Sequence, residues 1–157
     1  MKSQQNWFKE YAVSHQNPTN QAIHYVCVPV IYFSIIGMLM SIPAPFLQEI
    51  TPIKHPILAN WATVFILFIL FFYWMLSFKI FIIMLFFSVF SVAVNYFLSQ
   101  YVSLFYFNLL LFVLAWIGQF YGHKIEGKKP SFFKDLQFLL IGPAWVFEKM
   151  FTKRNRD

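Results

Sequence analysis

The sequence predicts an all-α integral membrane protein, a bundle of four transmembrane helices followed by a C-terminal interfacial or re-entrant helix. Three observations predict it. First, 59% of the 157 residues are hydrophobic and only 11% carry a charge, against about 25% in an ordinary soluble chain. Second, the 22 Phe, 8 Tyr and 5 Trp exceed what a core of this size can hide, so part of that surface faces lipid or a partner. Third, the apolar residues gather in runs close to the length of about 20 that crosses the hydrocarbon. A single membrane domain over residues 1–157 is expected, and a disordered chain or a conventional soluble enzyme is excluded.

The elements follow in order. The N-terminal stretch MKSQQNWFKEYAVSHQN is polar and lacks the apolar run and small-residue cleavage site of a signal peptide, so no removal is expected. A first span is predicted at residues 24–41, bent at Pro29, which removes one helix donor. Pro43, Pro45, Pro52 and Pro56 make the following stretch a loop, with room for a short interfacial piece from Phe46 to Ile50. Between Pro56 and Gly122 the only formally charged side chain is Lys79. Spans are therefore placed at residues 60–78, 81–98 and 102–120, joined by a tight turn at Ser77 to Lys79 and by Ser99, Gln100 and Tyr101. Short connections favour antiparallel neighbours, hence an up-down bundle. The last apolar run, LQFLLIGPAWVF, is twelve residues long and is broken by Gly142 and Pro143. It is too short to span, and the segment 131–151 is predicted to lie at the membrane surface or re-enter it, with a fifth, kinked span as the alternative.

The cations orient the bundle. Eight of the twelve Lys and Arg residues follow His123, two more precede the first span, and the loops after spans one and three are cation-poor. Four spans with both termini cytoplasmic satisfy the positive-inside pattern, in the inner membrane of a bacterium or the endoplasmic reticulum of a eukaryote. The net charge of +6 is thereby explained by topology and needs no nucleic acid. Cys27, the single cysteine, excludes an internal disulfide and a CxxC zinc site, and reads as a small apolar filler.

Two polar segments are left over. Asn17 before Pro18 forms a helix start, cap followed by first-turn proline, which places Asn20 and His24 four residues apart on one face. At the end of span four, Gln119 and His123 have the same spacing and Glu126 follows at three. With four spans, both segments lie on the cytoplasmic side, so His15, His24 and His123 can converge; His55 sits in the first loop on the opposite side. Three convergent imidazoles suit Zn, Fe, Cu or Ni and leave coordination positions open for catalysis. Asn17, Asn20, Gln119 and Glu126 are candidates for fixing the imidazole tautomers. Taken singly, each histidine reads as interfacial and each Asn or Gln as a cap; the residues alone leave both readings open and do not choose the metal. Other chemistries are poorly supported: there is no G-x-S-x-G elbow, no P-loop, no G-x-G-x-x-G, too few histidines for a two-iron desaturase, and no ionisable group mid-span to mark an ion path.

The run HQNPTNQAIH followed by VPVIYFS, with WIGQFYGHKIEGKKPSFFKDLQFLLIGPAWVFEKM near the end, resembles a family of small membrane proteins whose fungal member is a 2-hydroxy fatty acid dioxygenase of the endoplasmic reticulum. The resemblance extends over residues 7–151, and its specific parts are the two ends. It implies an iron(II)-dependent oxidation of a long-chain 2-hydroxy fatty acid by O2 to the acid one carbon shorter, a step of fatty acid α-oxidation. His15, His24 and His123 match the motif histidines and look like the Fe(II) ligands and catalytic residues. Asn17, Pro18, Asn20, Gln119, Gly122 and Pro130 match further motif positions. The fungal motif has a second histidine directly after the first, where this chain has Gln16, and the interval from His123 to Pro130 is one residue shorter, which makes Glu126 a less secure equivalent. In this reading the hydroxyl and carboxylate of the substrate chelate the iron, the acyl chain lies among Phe and Ile side chains, and Lys124, Lys128 or Lys129 attracts the headgroup. Two other functions are carried alongside: a haem electron-transfer protein with His24 and His123 as axial ligands, and a non-catalytic lipid-binding or scaffold protein. Membrane lipid is an expected partner, and a homodimer through the lipid-facing surface is open to such a bundle.

Overall fold

In a computed structural model, residues 6, 8, 12–13, 15–52, 55, 57–127, 141–143 and 145–147 are described. No strand occurs among them. The helices are α1 (Pro18–Met40), the short α2 (Pro45–Ile50), α3 (Trp61–Leu76), α4 (Phe78–Leu98) and α5 (Leu104–Glu126). Residues 6, 8, 12–13, 141–143 and 145–147 are also helical, and the rest of the predicted interfacial segment 131–151 lies outside the described residues.

Three helices, α1, α4 and α5, are long and apolar enough to cross a membrane. The fourth predicted span corresponds to α3, whose 16 residues give about 24 Å of helix at 1.5 Å per residue. Several boundaries move. Helix α1 starts six residues before the predicted span, because Asn17 and Pro18 begin the helix while the residues are still polar. Helix α5 runs to Glu126, so Gln119, Gly122 and His123 are helical, and it stops at Gly127, whose φ of 72° turns the chain left-handed. The predicted turn Ser77 to Lys79 shrinks to Ser77 alone, in extended conformation, which leaves Lys79 in the first turn of α4. The proline-rich stretch does hold the expected short helix, started by Pro45.

Side-chain pairings fix the packing. Tyr32 shares a 2.7 Å hydrogen bond with Ser88, and Asn95 Nδ2 donates to the Phe33 carbonyl at 3.3 Å; α1 and α4 therefore run parallel. Helix α5 runs the other way, with Gly118 against Cys27 and Gly122 against Asn20. Asn108 Nδ2 joins α5 to α4 through Asn95 Oδ1 at 2.8 Å. An apolar core of Tyr32 and Ile36 from α1, Ile69 and Tyr73 from α3, and Ile80 and Met84 from α4 fills the middle. The outward faces stay apolar: Phe68 is 73% exposed and Phe86 71%, a surface that belongs against lipid tails.

Candidate metal centre

The centre forms where α1 begins and α5 ends. Asn17 caps α1, its Oδ1 accepting from Thr19 N at 2.9 Å and Asn20 N at 3.4 Å, and Pro18 takes the first-turn position where no N–H is needed. With the start fixed there, His24 lies one turn beyond Asn20, and its Nδ1 donates to the Asn20 carbonyl at 2.9 Å. A ring that donates from Nδ1 keeps its Nε2 lone pair for a ligand.

His15 lies outside any helix, in the turn ahead of α1. Its N–H donates to the Ala12 carbonyl at 3.1 Å, and its own carbonyl accepts from Gln21 Nε2 at 2.7 Å. His123 comes from the last turn of α5. The three rings meet edge to face, with centroids 4.3 Å apart for His15 and His24, 5.0 Å for His24 and His123, and 5.4 Å for His15 and His123. Exposures of 2%, 1% and 5% for His15, His24 and His123 place all three inside the protein. One donor atom from each lies within 4.8 Å of the others. Metal–imidazole bonds of about 2.0–2.1 Å set donors on one ion roughly 3 Å apart, so binding would draw the three rings closer together.

Glu126 takes a different part from the one its spacing suggested. Its carboxylate accepts from Gln16 N at 2.9 Å, from Asn17 N at 3.0 Å and from Asn20 Nδ2 at 3.0 Å. The last residue of α5 thus sits on the N-terminus of α1, where free N–H groups and the helix dipole favour an anion. It holds the turn that carries His15 against the helix that carries His123. Asn20 contributes through its main chain to His24 and through its side chain to Glu126. Gln119 is buried one turn before His123. Lys124 is exposed; Lys128 and Lys129 lie outside the described residues. His55 is at the far end of the bundle, 6.2 Å from the Tyr96 ring.

A family model described as 2-hydroxy-palmitic acid dioxygenase Mpo1-like matches residues 1–154. The chain belongs to the Mpo1-like family. No curated protein and no solved structure matches it. Both polar segments of this Mpo1-like chain fall inside the matched residues, and they are the two that pack against each other.

Two features of the Mpo1-like centre escaped the reading of the sequence. Trp145, 1% exposed, lies 5.8 Å from the His15 ring and packs with Val28 and Val146. A tryptophan in a short apolar tail reads as an interfacial anchor, and only the tertiary fold puts it over His15. The second is legible in retrospect: Gly118 and Gly122 form a G-x-x-x-G pair, the signal for close helix approach in a membrane. A Cβ on Gly122 would collide with Asn20 Oδ1, and one on Gly118 would lie 2.8 Å from Cys27 Sγ. The absence of both brings α5 close enough to α1 for His123 to reach His24.

Proposed function

We propose that the chain is an iron(II)-dependent dioxygenase that shortens long-chain 2-hydroxy fatty acids by one carbon, with His15, His24 and His123 as the metal ligands. The observation that carries this is the buried cluster of three histidine donors within 4.8 Å, in a chain whose family is described as 2-hydroxy-palmitic acid dioxygenase. Three neutral nitrogen donors suit a first-row ion and leave positions open. When bound, iron supplies the Lewis-acid and redox chemistry for cleaving the bond between the first two carbons with O2.

The protein's own groups prepare that step. The His24 ring is set by the Asn20 carbonyl, and the His15 turn is held by Glu126 and Gln21. Trp145 covers His15 and keeps water from it. Lys124, with Lys128 and Lys129 beyond it, attracts the carboxylate to this end of the bundle. The direct edge contact of His24 and His123 leaves no slot for a porphyrin between them, which disfavours the haem reading. For the membrane arrangement we adopt four crossings, α3 with its flanking residues being the shortest, and both termini on the cytoplasmic side, where the cations cluster.

The test is elemental analysis of detergent-purified protein beside a variant with all three histidines changed to alanine, followed by oxygen uptake with 2-hydroxypalmitate. About one iron per chain is expected in the wild type, lost in the folded variant, and each single His→Ala change should abolish uptake. Full activity in the three single variants would sink the proposal. A folded protein that takes up no metal, even after anaerobic reconstitution, would favour the lipid-binding scaffold.

A further inference from the structure

The histidine cluster accounts for the polar end of the bundle; the seam between α1 and α3, which belongs to the apolar core, is not fully closed. A small cavity of about 20 Å³ lies in that seam. Val28, Tyr32 and Ile35 line it from α1, and Phe65, Ile69 and Tyr73 face them from α3. Tyr32 turns its hydroxyl away to Ser88, 2.7 Å distant, so the ring and not the oxygen is presented to the seam. Pro143 adds a wall from the C-terminal segment.

We infer that this seam receives the hydrocarbon tail of the substrate and that its outer end, at Ile35 and Phe65, sets the chain length accepted. The inference rests on the reading of the chain as an enzyme of 2-hydroxy fatty acids. Three observations argue for that occupant. The seam starts at Val28, one helical turn beyond His24, so a molecule whose head lies among the histidines has its tail already aligned with it. From His24 to Ile35 the helix rises about 16 Å at 1.5 Å per residue, close to the half-thickness of about 15 Å that one acyl chain fills in a bilayer. The segment that lends Pro143 to the seam also lays Trp145 on His15, so a single element touches both the tail site and the head site.

The cavity as it stands has room for about one water-sized group, so the tail enters only by parting the side chains of α1 and α3. In a bilayer one apolar neighbour exchanges for another without a hydrophobic penalty, because lipid tails are as apolar as the side chains they replace. A tail that enters between α1 and α3 exchanges side-chain contacts for hydrocarbon contacts. Since α4 runs parallel to α1 and α3 returns antiparallel to it through Ser77, the start of α3, with Phe65, lies toward the Ile35 end of the seam and the end of α3, with Tyr73, toward the Val28 end.

The experiment is photolabelling of the full chain in lipid nanodiscs with 2-hydroxypalmitic acid carrying a diazirine near its methyl end, followed by peptide mapping. Adducts on Ile35, Phe65 or Ile69 are expected. Adducts confined to the outward-facing Phe68 and Phe71 would overturn the inference. As a second measurement, Ile35→Trp should shift the ratio of oxygen-uptake rates at least tenfold towards shorter 2-hydroxy acids and Phe65→Ala should extend the range upward, while Phe68→Trp leaves the profile unchanged. An equal loss at every chain length in both seam variants would count against the seam. Labelling needs no turnover, which separates the two ideas: seam adducts without oxygen uptake would remove the dioxygenase reading and keep the tail site, and uptake with adducts only on the lipid face would do the reverse.

Discussion

At the scale of single residues, the carboxylate of Glu126 carries more of the site's geometry than its position at the end of a helix suggests. It accepts three hydrogen bonds from Gln16, Asn17 and Asn20, and hydrogen bonds to a charged group contribute about 1.5–3 kcal/mol each where they are shielded from water. Partial exposure lowers that figure, so Glu126→Ala should cost about 1–3 kcal/mol in total, read as a lower midpoint of thermal unfolding in detergent. The same variant should retain less iron at limiting metal, because the His15 turn is no longer held. Glu126→Gln keeps an acceptor and should fall between the two. Asn17→Ala removes the cap of α1 and should cost about 1 kcal/mol. The histidines and the Asn17 cap were legible because helical spacing and the Asn-Pro pair are local signals. The work of Glu126 was not, since its partners lie more than 100 residues away in sequence and a spacing of three from His123 pointed to the imidazole instead.

At the scale of elements, the approach of α1 and α5 decides whether the histidines meet. Gly118→Ala places a methyl group 2.8 Å from Cys27 Sγ, and overpacking of this kind costs about 1–3 kcal/mol. Cys27→Ala clears the space, so the double variant should recover part of the loss, with a coupling of about 1 kcal/mol in a double-mutant cycle. Strict additivity of the two changes would mean that the helices do not touch there. Hydropathy located the four long helices among the described residues and missed three of their ends by more than two residues, the starts of α1 and α4 and the end of α5. It registers only the lipid-soluble part of a helix, whereas α1 starts earlier, through Asn20, and α5 continues through His123 and Glu126, whose polar groups meet or are buried at the contact. The glycine pair that permits the contact sits in plain view in WIGQFYGH; its meaning depends on knowing which helix lies opposite.

At the scale of the whole molecule, composition sufficed for the fold class, and the order of short turns for an up-down course. It could not tell which side of each helix faces inward, because α3, α4 and α5 are mostly apolar on every side; the choice is made by a few polar side chains, Tyr32 with Ser88 and Asn95 with Asn108, that find one another in the bundle. Asn95→Leu removes the bond from Asn108 Nδ2 to α4 and leaves it only the Leu104 carbonyl of its own helix; the change should cost about 1 kcal/mol, measurable as reduced resistance to unfolding by detergent. The proposed four crossings have their own check: with Cys27 replaced by alanine, single cysteines at Lys2 and Arg156 should both react with an impermeant maleimide only from the cytoplasmic side. Labelling from opposite sides would mean an odd number of crossings. The separation of His24, early in the chain, from His123, late in it, also sets a timetable for biosynthesis. At about 5–20 residues per second, the ribosome needs roughly 5–20 s after releasing His24 to deliver its partner, and in the proposed membrane arrangement the polar start of α1 is uncovered by α5 throughout that interval. In that arrangement a nascent chain arrested before α5 would leave Asn20 and His24 without the helix that covers them.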